Sequence, residues 1–171
     1  PYTFKGGEAS DAACQSAGEA SPLPSLGVGK VYRAMLADTR LPGSIRGILP
    51  ETTTHILDSD NWTIFEKPSP GSITDWFDST PLYVSPIKDS SGRLLDAATT
   101  FWTGVASDAA DTVDLDNNCV DWQGSGSDER GRYGSLYQGF YSSYQSCSSS
   151  KVLLCVTSPT LEPRPQALTP E

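Results

Sequence analysis

Asp114-x-Asp116-x-Asn118 opens like a calcium-binding loop, because hard cations take alternating carboxylate and amide oxygens. It fails as an EF-hand. Cys119 stands where the sharp turn needs glycine, and Ser125 where a bidentate Glu belongs. A looser Ca²⁺ site built from Asp108, Asp111, Asp114 and Asp116 is the alternative, and no other cofactor is expected. His55 is the single histidine, so a His-x-x-x-His zinc pair is impossible. A Ser-His-Asp triad would have to use His55, yet no Gly-x-Ser-x-Gly elbow exists. His55 reads instead as an ordinary histidine in a turn-rich region. The Gly27/Gly29 and Gly124/Gly126 pairs lack the third glycine of a nucleotide-binding loop. Asp75 and Asp78 could serve glycoside hydrolysis, but nothing in their spacing selects them from the other acids. The chain is therefore expected not to be an enzyme.

Two other sets of residues carry binding rather than reaction chemistry. Tyr133, Tyr137, Tyr141 and Tyr144 have helix-like spacing, but Gly134, Gly139 and the neighbouring serines oppose a stable helix. In a loop, such tyrosines make a rigid amphipathic surface for a ligand. The cysteines are Cys14, Cys119, Cys147 and Cys155. Their spacing contains no Cys-x-x-Cys pair, so thioredoxin chemistry and zinc ribbons are excluded. An even count in a Ser-, Thr-, Gly- and Pro-rich chain points to two disulfides and an oxidising compartment. Three pairings are open on spacing alone. Joining Cys14 to Cys155 closes the longest loop and would stabilise most, by about 4–5 kcal/mol.

Lys and Arg number 12 against 21 Asp and Glu, for a net charge of -9 over 171 residues. An acidic chain repels phosphate backbones and anionic bilayers, so no nucleic-acid partner and no membrane insertion are expected. The longest apolar run, residues 152–156, has strand length. No Lys or Arg falls between Arg93 and Arg130, an interval holding Asp96, Asp108, Asp111, Asp114, Asp116, Asp121, Asp128 and Glu129. Asn61-Trp-Thr63 is a glycosylation sequon. Pro1 lies in polar sequence with no signal peptide in view, and the chain is expected to be a mature protein or an excised module.

The elements that position these residues are short. Residues 8–19 are Ala-rich, open with acids and precede Pro22, which predicts a helix with Cys14 in its middle. Ala12, Ala13 and Ala17 are small enough to let it pack closely on a sheet. Residues 30–37 predict a strand, with Tyr32, Ala34 and Leu36 on one face and Val31, Arg33 and Met35 on the other. Further strands are expected at 61–65, 81–87, 101–105, 119–122 and 151–156, and a helical turn at 72–77. Residues 123–150 are too long for a simple hairpin and read as an ordered or crosslinked loop. From Pro159 the tail is Pro-rich with little to bury. The result is an α+β domain over residues 1–157, followed by a flexible tail or linker over 158–171. One or two short helices surround a small twisted antiparallel sheet with long loops.

Several pieces, in order, resemble a known family. Gly6-Gly-Glu-Ala-Ser-Asp-Ala-Ala-Cys-Gln15 is similar to the Gly-Gly…Ala-Asp-Ala-x-Cys-Gln helix of bacterial modules with a C-type-lectin-like, endostatin-like fold. Val31-Tyr-Arg-Ala-Met-Leu-Ala-Asp38, Trp102-Thr-Gly104, Asn118-Cys-Val-Asp-Trp122 and Leu153-Leu-Cys155 resemble its further landmarks. The resemblance implies disulfides Cys14–Cys155 and Cys119–Cys147, with Trp102 and Trp122 in or near the core. The Glu-Pro-Asn, Gln-Pro-Asp and Trp-Asn-Asp triplets of sugar-binding C-type lectins do not occur. Only residues 2–4 stand where the family has a strand before the helix. Relatives include leptospiral endostatin-like surface proteins, which attach to host matrix and complement regulators. The resemblance thus implies a non-enzymatic recognition or adhesion module, extracellular or on the bacterial cell surface. Its partner would be an extracellular protein or glycan, met through the long loops, and it would be one module of a longer surface protein. The alternative expectation is a carbohydrate-binding lectin with an unusual Ca²⁺ site in residues 108–118.

Overall fold

A computed structural model describes residues 7–37, 55–57, 63–66, 88–96, 98–104, 116–135 and 139–159. Within them the chain is small and α+β. Helix α1 spans Gly7–Glu19. The strands are β1 (Tyr32–Ala34), β2 (His55–Leu57), β3 (Thr63–Glu66), β4 (Thr100–Trp102), β5 (Arg130–Ser135), β6 (Gly139–Ser146) and β7 (Cys155–Thr157), with a single helical turn, α2, at Cys119–Trp122. All sheet pairings among these strands are antiparallel: β1 with β7, β2 with β3, and β4–β5–β6 in that order.

Helix α1 forms because alanines with high helix propensity fill its turns, and it stops just before Pro22. Its buried stripe is Ser10, Cys14 and Gly18, spaced four residues apart. The alanines are not the packing face: Ala12 is exposed, while Ala13 and Ala17 are half-buried. Small residues at 10, 14 and 18 let the sheet come close. A Cβ on Gly18 would lie 2.4 Å from the Tyr32 ring.

The same helix face covers an edge of β1. The Ala34 amide donates to Asp11 Oδ1 at 2.8 Å, and the Tyr32 amide to Gln15 Oε1 at 3.0 Å. Gln15 Nε2 donates to the Lys30 carbonyl at 2.8 Å. Asp11 and Gln15 are one helical turn apart, while Tyr32 and Ala34 are two strand residues apart. These spacings are close enough for two side chains to replace a neighbouring strand. On its other edge β1 pairs with β7, Tyr32 opposite Thr157 and Ala34 opposite Cys155. The chain then continues the ladder, Met35 donating to Leu154 and Ala37 to Thr103, each at 2.8 Å.

Residues 32–37 are all buried, so both faces of this strand are covered. Tyr32, Ala34 and Leu36 join one apolar cluster with Trp102, Trp122, Cys14, Cys119 and Cys147. The indoles of Trp102 and Trp122 meet at a tilt, 6.1 Å between ring centres. Near them, a Cβ on Gly131 would lie 2.6 Å from Cys119 Sγ and 2.8 Å from the Trp102 ring.

Several expectations change. His55 lies on β2, opposite Glu66 in the register, rather than in a turn. Residues 123–150 contain the β5–β6 hairpin rather than a loop alone. Residues 119–122 form a turn instead of a strand, with Cys119, Val120 and Trp122 at φ of 53°, 53° and 64°. The expected turn at 72–77, the strand at 81–87 and the tail beyond 159 lie outside the described residues. Among the described residues, no helix is long and apolar enough to cross a membrane.

Candidate functional site

Two disulfides anchor everything around the site. Cys14 bonds Cys155, joining α1 to β7, and Cys119 bonds Cys147, joining α2 to the end of β6; no cysteine is free. This is the pairing that the resemblance implies.

The turn α2 is held in a left-handed conformation that side chains normally avoid, at about 1–2 kcal/mol per residue. Its surroundings over-determine it. The Cys119 bond fixes one end. Trp122 is fully buried, and its indole Nε1 donates to the Ala37 carbonyl at 2.7 Å. The Trp122 amide donates to the Asn118 carbonyl and the Gly124 amide to the Cys119 carbonyl, both at 2.8 Å. Val120 sits between these anchors with 61% of its surface exposed. Its side chain contributes little packing there, and its β-branch opposes positive φ. Val120→Gly therefore raises stability by about 1 kcal/mol. A thermal melt checks this, and a lower Tm in the variant contradicts it.

Beyond α2, the Glu129 carboxylate folds back to accept from the Gly126 amide at 2.7 Å, shaping the entry to β5. In the β5–β6 hairpin Arg132 lies opposite Tyr144 and Tyr133 opposite Ser143. Directly opposed residues share a face and neighbours in a strand alternate. Arg130, Arg132 and Tyr144 therefore occupy one face, and Tyr133 the other. On the first face both guanidiniums meet the same ring, Arg130 at 4.8 Å and Arg132 at 5.2 Å from the Tyr144 centroid. Arg130 and Tyr144 are exposed, and Arg132 is half-buried.

On the opposite face Tyr133 packs against the apolar cluster. Lys151 Nζ lies 3.9 Å from the Tyr133 centroid and 5.3 Å from that of Trp102, and donates to Thr100 Oγ1 at 3.1 Å. Burial lowers the proton affinity of this ammonium below its ordinary value. The unfolded chain thus binds more protons in the alkaline window between the depressed folded value and the ordinary 10.5. Over that window the lysine's contribution to stability rises with pH. Lys151→Met removes the contribution. Unfolding free energies of the two proteins, measured against pH up to about 10.5, show the wild type gaining on the variant. A constant difference contradicts the assignment.

The residues expected to bind are thus divided. Tyr133 and Tyr144 face opposite ways, Tyr141 lies on β6, and Tyr137 is outside the described residues. Asp116 is exposed in the turn before Asn118, while Asp108, Asp111 and Asp114 lie outside the described residues. No group of three or more candidate metal ligands occurs among the described residues. Arg130, Arg132 and Lys151 were not singled out by sequence. The alternation in Arg130-Gly-Arg-Tyr-Gly-Ser135 is the signal that could have found the arginines.

Compared with models of known protein families the chain matches none, and no curated protein matches it.

Proposed function

We propose that this chain is a non-enzymatic, extracellular recognition module of C-type-lectin-like, endostatin-like fold, which binds a surface protein or glycan. The first-helix-to-last-strand crosslink and the buried Trp102–Trp122 pair support the fold assignment. Two disulfides support an oxidising compartment. The observation that carries the reading is the division of labour in the β5–β6 hairpin. Tyr133 on one face packs against the core and the end of β6 is crosslinked through Cys147, while the other face holds Arg130 and Tyr144 out to solvent. Arg and Tyr are the side chains that protein-binding surfaces favour, because each offers large contact area with directional hydrogen bonds.

The test is binding of the oxidised protein to immobilised extracellular proteins and glycans, beside a reduced and alkylated control. Saturable binding by the oxidised form alone is expected. Binding to none of the ligands, or turnover of a substrate, overturns the reading.

A further inference from the structure

We propose that the Cys14–Cys155 bond is a thiol-exchange site, attacked at Cys155 by an external thiolate, while the Cys119–Cys147 bond is inert in the folded protein. The two bonds differ in access. Cys155 is exposed, whereas Cys14, Cys119 and Cys147 show only 0%, 1% and 4% of their surface. Exchange requires a thiolate to reach one of the bonded sulfurs directly. Access therefore decides which bond reacts, and at which end.

The surroundings of each bond account for the difference. Cys155 opens β7, and its neighbour across the ladder is Ala34, whose single methyl covers little. Helix α1 meets the sheet with the small residues Ser10, Cys14 and Gly18. Small neighbours on both sides leave the Cys155 end open. Cys119 and Cys147 instead belong to the apolar cluster of Trp102 and Trp122. A Cβ on Gly131 would come within 2.6 Å of Cys119 Sγ, so the β5 backbone itself walls that sulfur. A thiolate reaches it only after the structure around β5 opens.

The reaction is a two-electron reduction in two halves, and its co-reactant is a low-molecular-weight thiol or dithiol. A thiolate RS⁻ attacks Cys155 Sγ, the S–S bond breaks, and Cys14 leaves as a thiolate. Cys155 then carries RS in a mixed disulfide. A second RS⁻ attacks the sulfur of that RS group, releasing RS–SR and the Cys155 thiolate. Two external thiols are oxidised, one protein disulfide is reduced, and the two protons given up by the thiols pass to Cys14 and Cys155. The exchange ends the covalent hold of α1 on β7. Helix α1 keeps its Asp11 and Gln15 hydrogen bonds to β1, so the last strand is unlatched while the helix stays seated.

The intact oxidised protein is treated with dithiothreitol, quenched at early times with excess N-ethylmaleimide, and mapped by mass spectrometry. Early quenching reads the order of reduction before the loss of one bond weakens the fold. Cys14 and Cys155 are expected to be labelled at least about ten-fold faster than Cys119 and Cys147, because the buried bond waits for an opening. In concentrated urea, where both bonds are accessible, the ratio is expected to fall to about one. With excess glutathione in place of dithiothreitol, the adduct is expected on Cys155, with Cys14 as the free thiol. Equal rates in the folded protein, faster reduction of Cys119–Cys147, or a glutathione adduct on Cys14 overturns the proposal. A rate ratio that urea leaves unchanged also overturns it, since access would then not be its cause.

Discussion

Replacing Cys14 and Cys155 together by alanine lowers the free energy of unfolding by about 5 kcal/mol at 25 °C. The bond spans 141 residues of sequence, nearly the whole described fold. Removing it returns to the unfolded chain the freedom to separate its ends, and that entropy grows with loop length. The bond between Cys119 and Cys147 spans 28 residues, and the same reasoning assigns it about 3.5 kcal/mol. The larger loss is a large share of the 5–15 kcal/mol that stabilises a typical domain. The variant keeps the Asp11 and Gln15 contacts to β1, so residual helix is expected even where the fold is marginal. Urea denaturation of the two proteins measures the difference. A loss under about 1 kcal/mol would mean that the ends are already held together without the bond.

Gly104→Ala is the second large effect, at about 3 kcal/mol or more. Gly104 has a φ of 71°, so any side chain costs about 1–2 kcal/mol in backbone strain. Its Cβ would also sit 2.7 Å from both the Ala37 carbonyl oxygen and Trp122 Cζ2. Neither neighbour can give way easily. The Ala37 carbonyl accepts the Trp122 indole N–H at 2.7 Å, and both residues are completely buried. Crowding of this kind adds about 1–3 kcal/mol. Gly92 supplies the control. Its φ is 87°, but among the described residues its Cβ would meet only Leu23 Cδ2, at an ordinary 3.6 Å. Gly92→Ala therefore costs the conformational part alone, about 1–2 kcal/mol. Chemical denaturation of both variants separates the two terms, and equal losses contradict the crowding argument.

These residues show where sequence was readable. The Asp-Ala-Ala-Cys-Gln segment announced a helix through composition, and Cys14 belonged to its middle. What Asp11 and Gln15 do was not legible, because their strand partners lie 23 and 17 residues further on. Asp11 reads as an acid suited to a helix N-terminus; in the fold it also accepts a strand amide. Trp102-Thr-Gly104 marks a strand end, but the reason for its glycine is the Ala37–Trp122 hydrogen bond, a tertiary fact.

The misread pieces have related causes. Cys119-Val-Asp-Trp122 contains residues common in strands, yet a disulfide and a buried indole force it into a left-handed turn. The β5–β6 hairpin was hidden by Gly131, Gly134 and Gly139, which weaken strand propensity. Gly131 is there because Cys119 Sγ and the Trp102 ring leave no room for a Cβ. The tyrosine spacing suggested one surface, whereas a period of two sends Tyr133 inward and Tyr144 outward. The arginines on the outer face are not legible in the sequence because the ring that meets them, Tyr144, reaches them across the hairpin.

The most direct test of the crosslinked scaffold is peptide mapping of the non-reduced protein, digested at acidic pH to prevent exchange and read by mass spectrometry. The account predicts two linked species, one joining the Cys14 and Cys155 peptides and one joining those of Cys119 and Cys147. Free thiols in native material, or Cys14 linked to either internal cysteine, would contradict it.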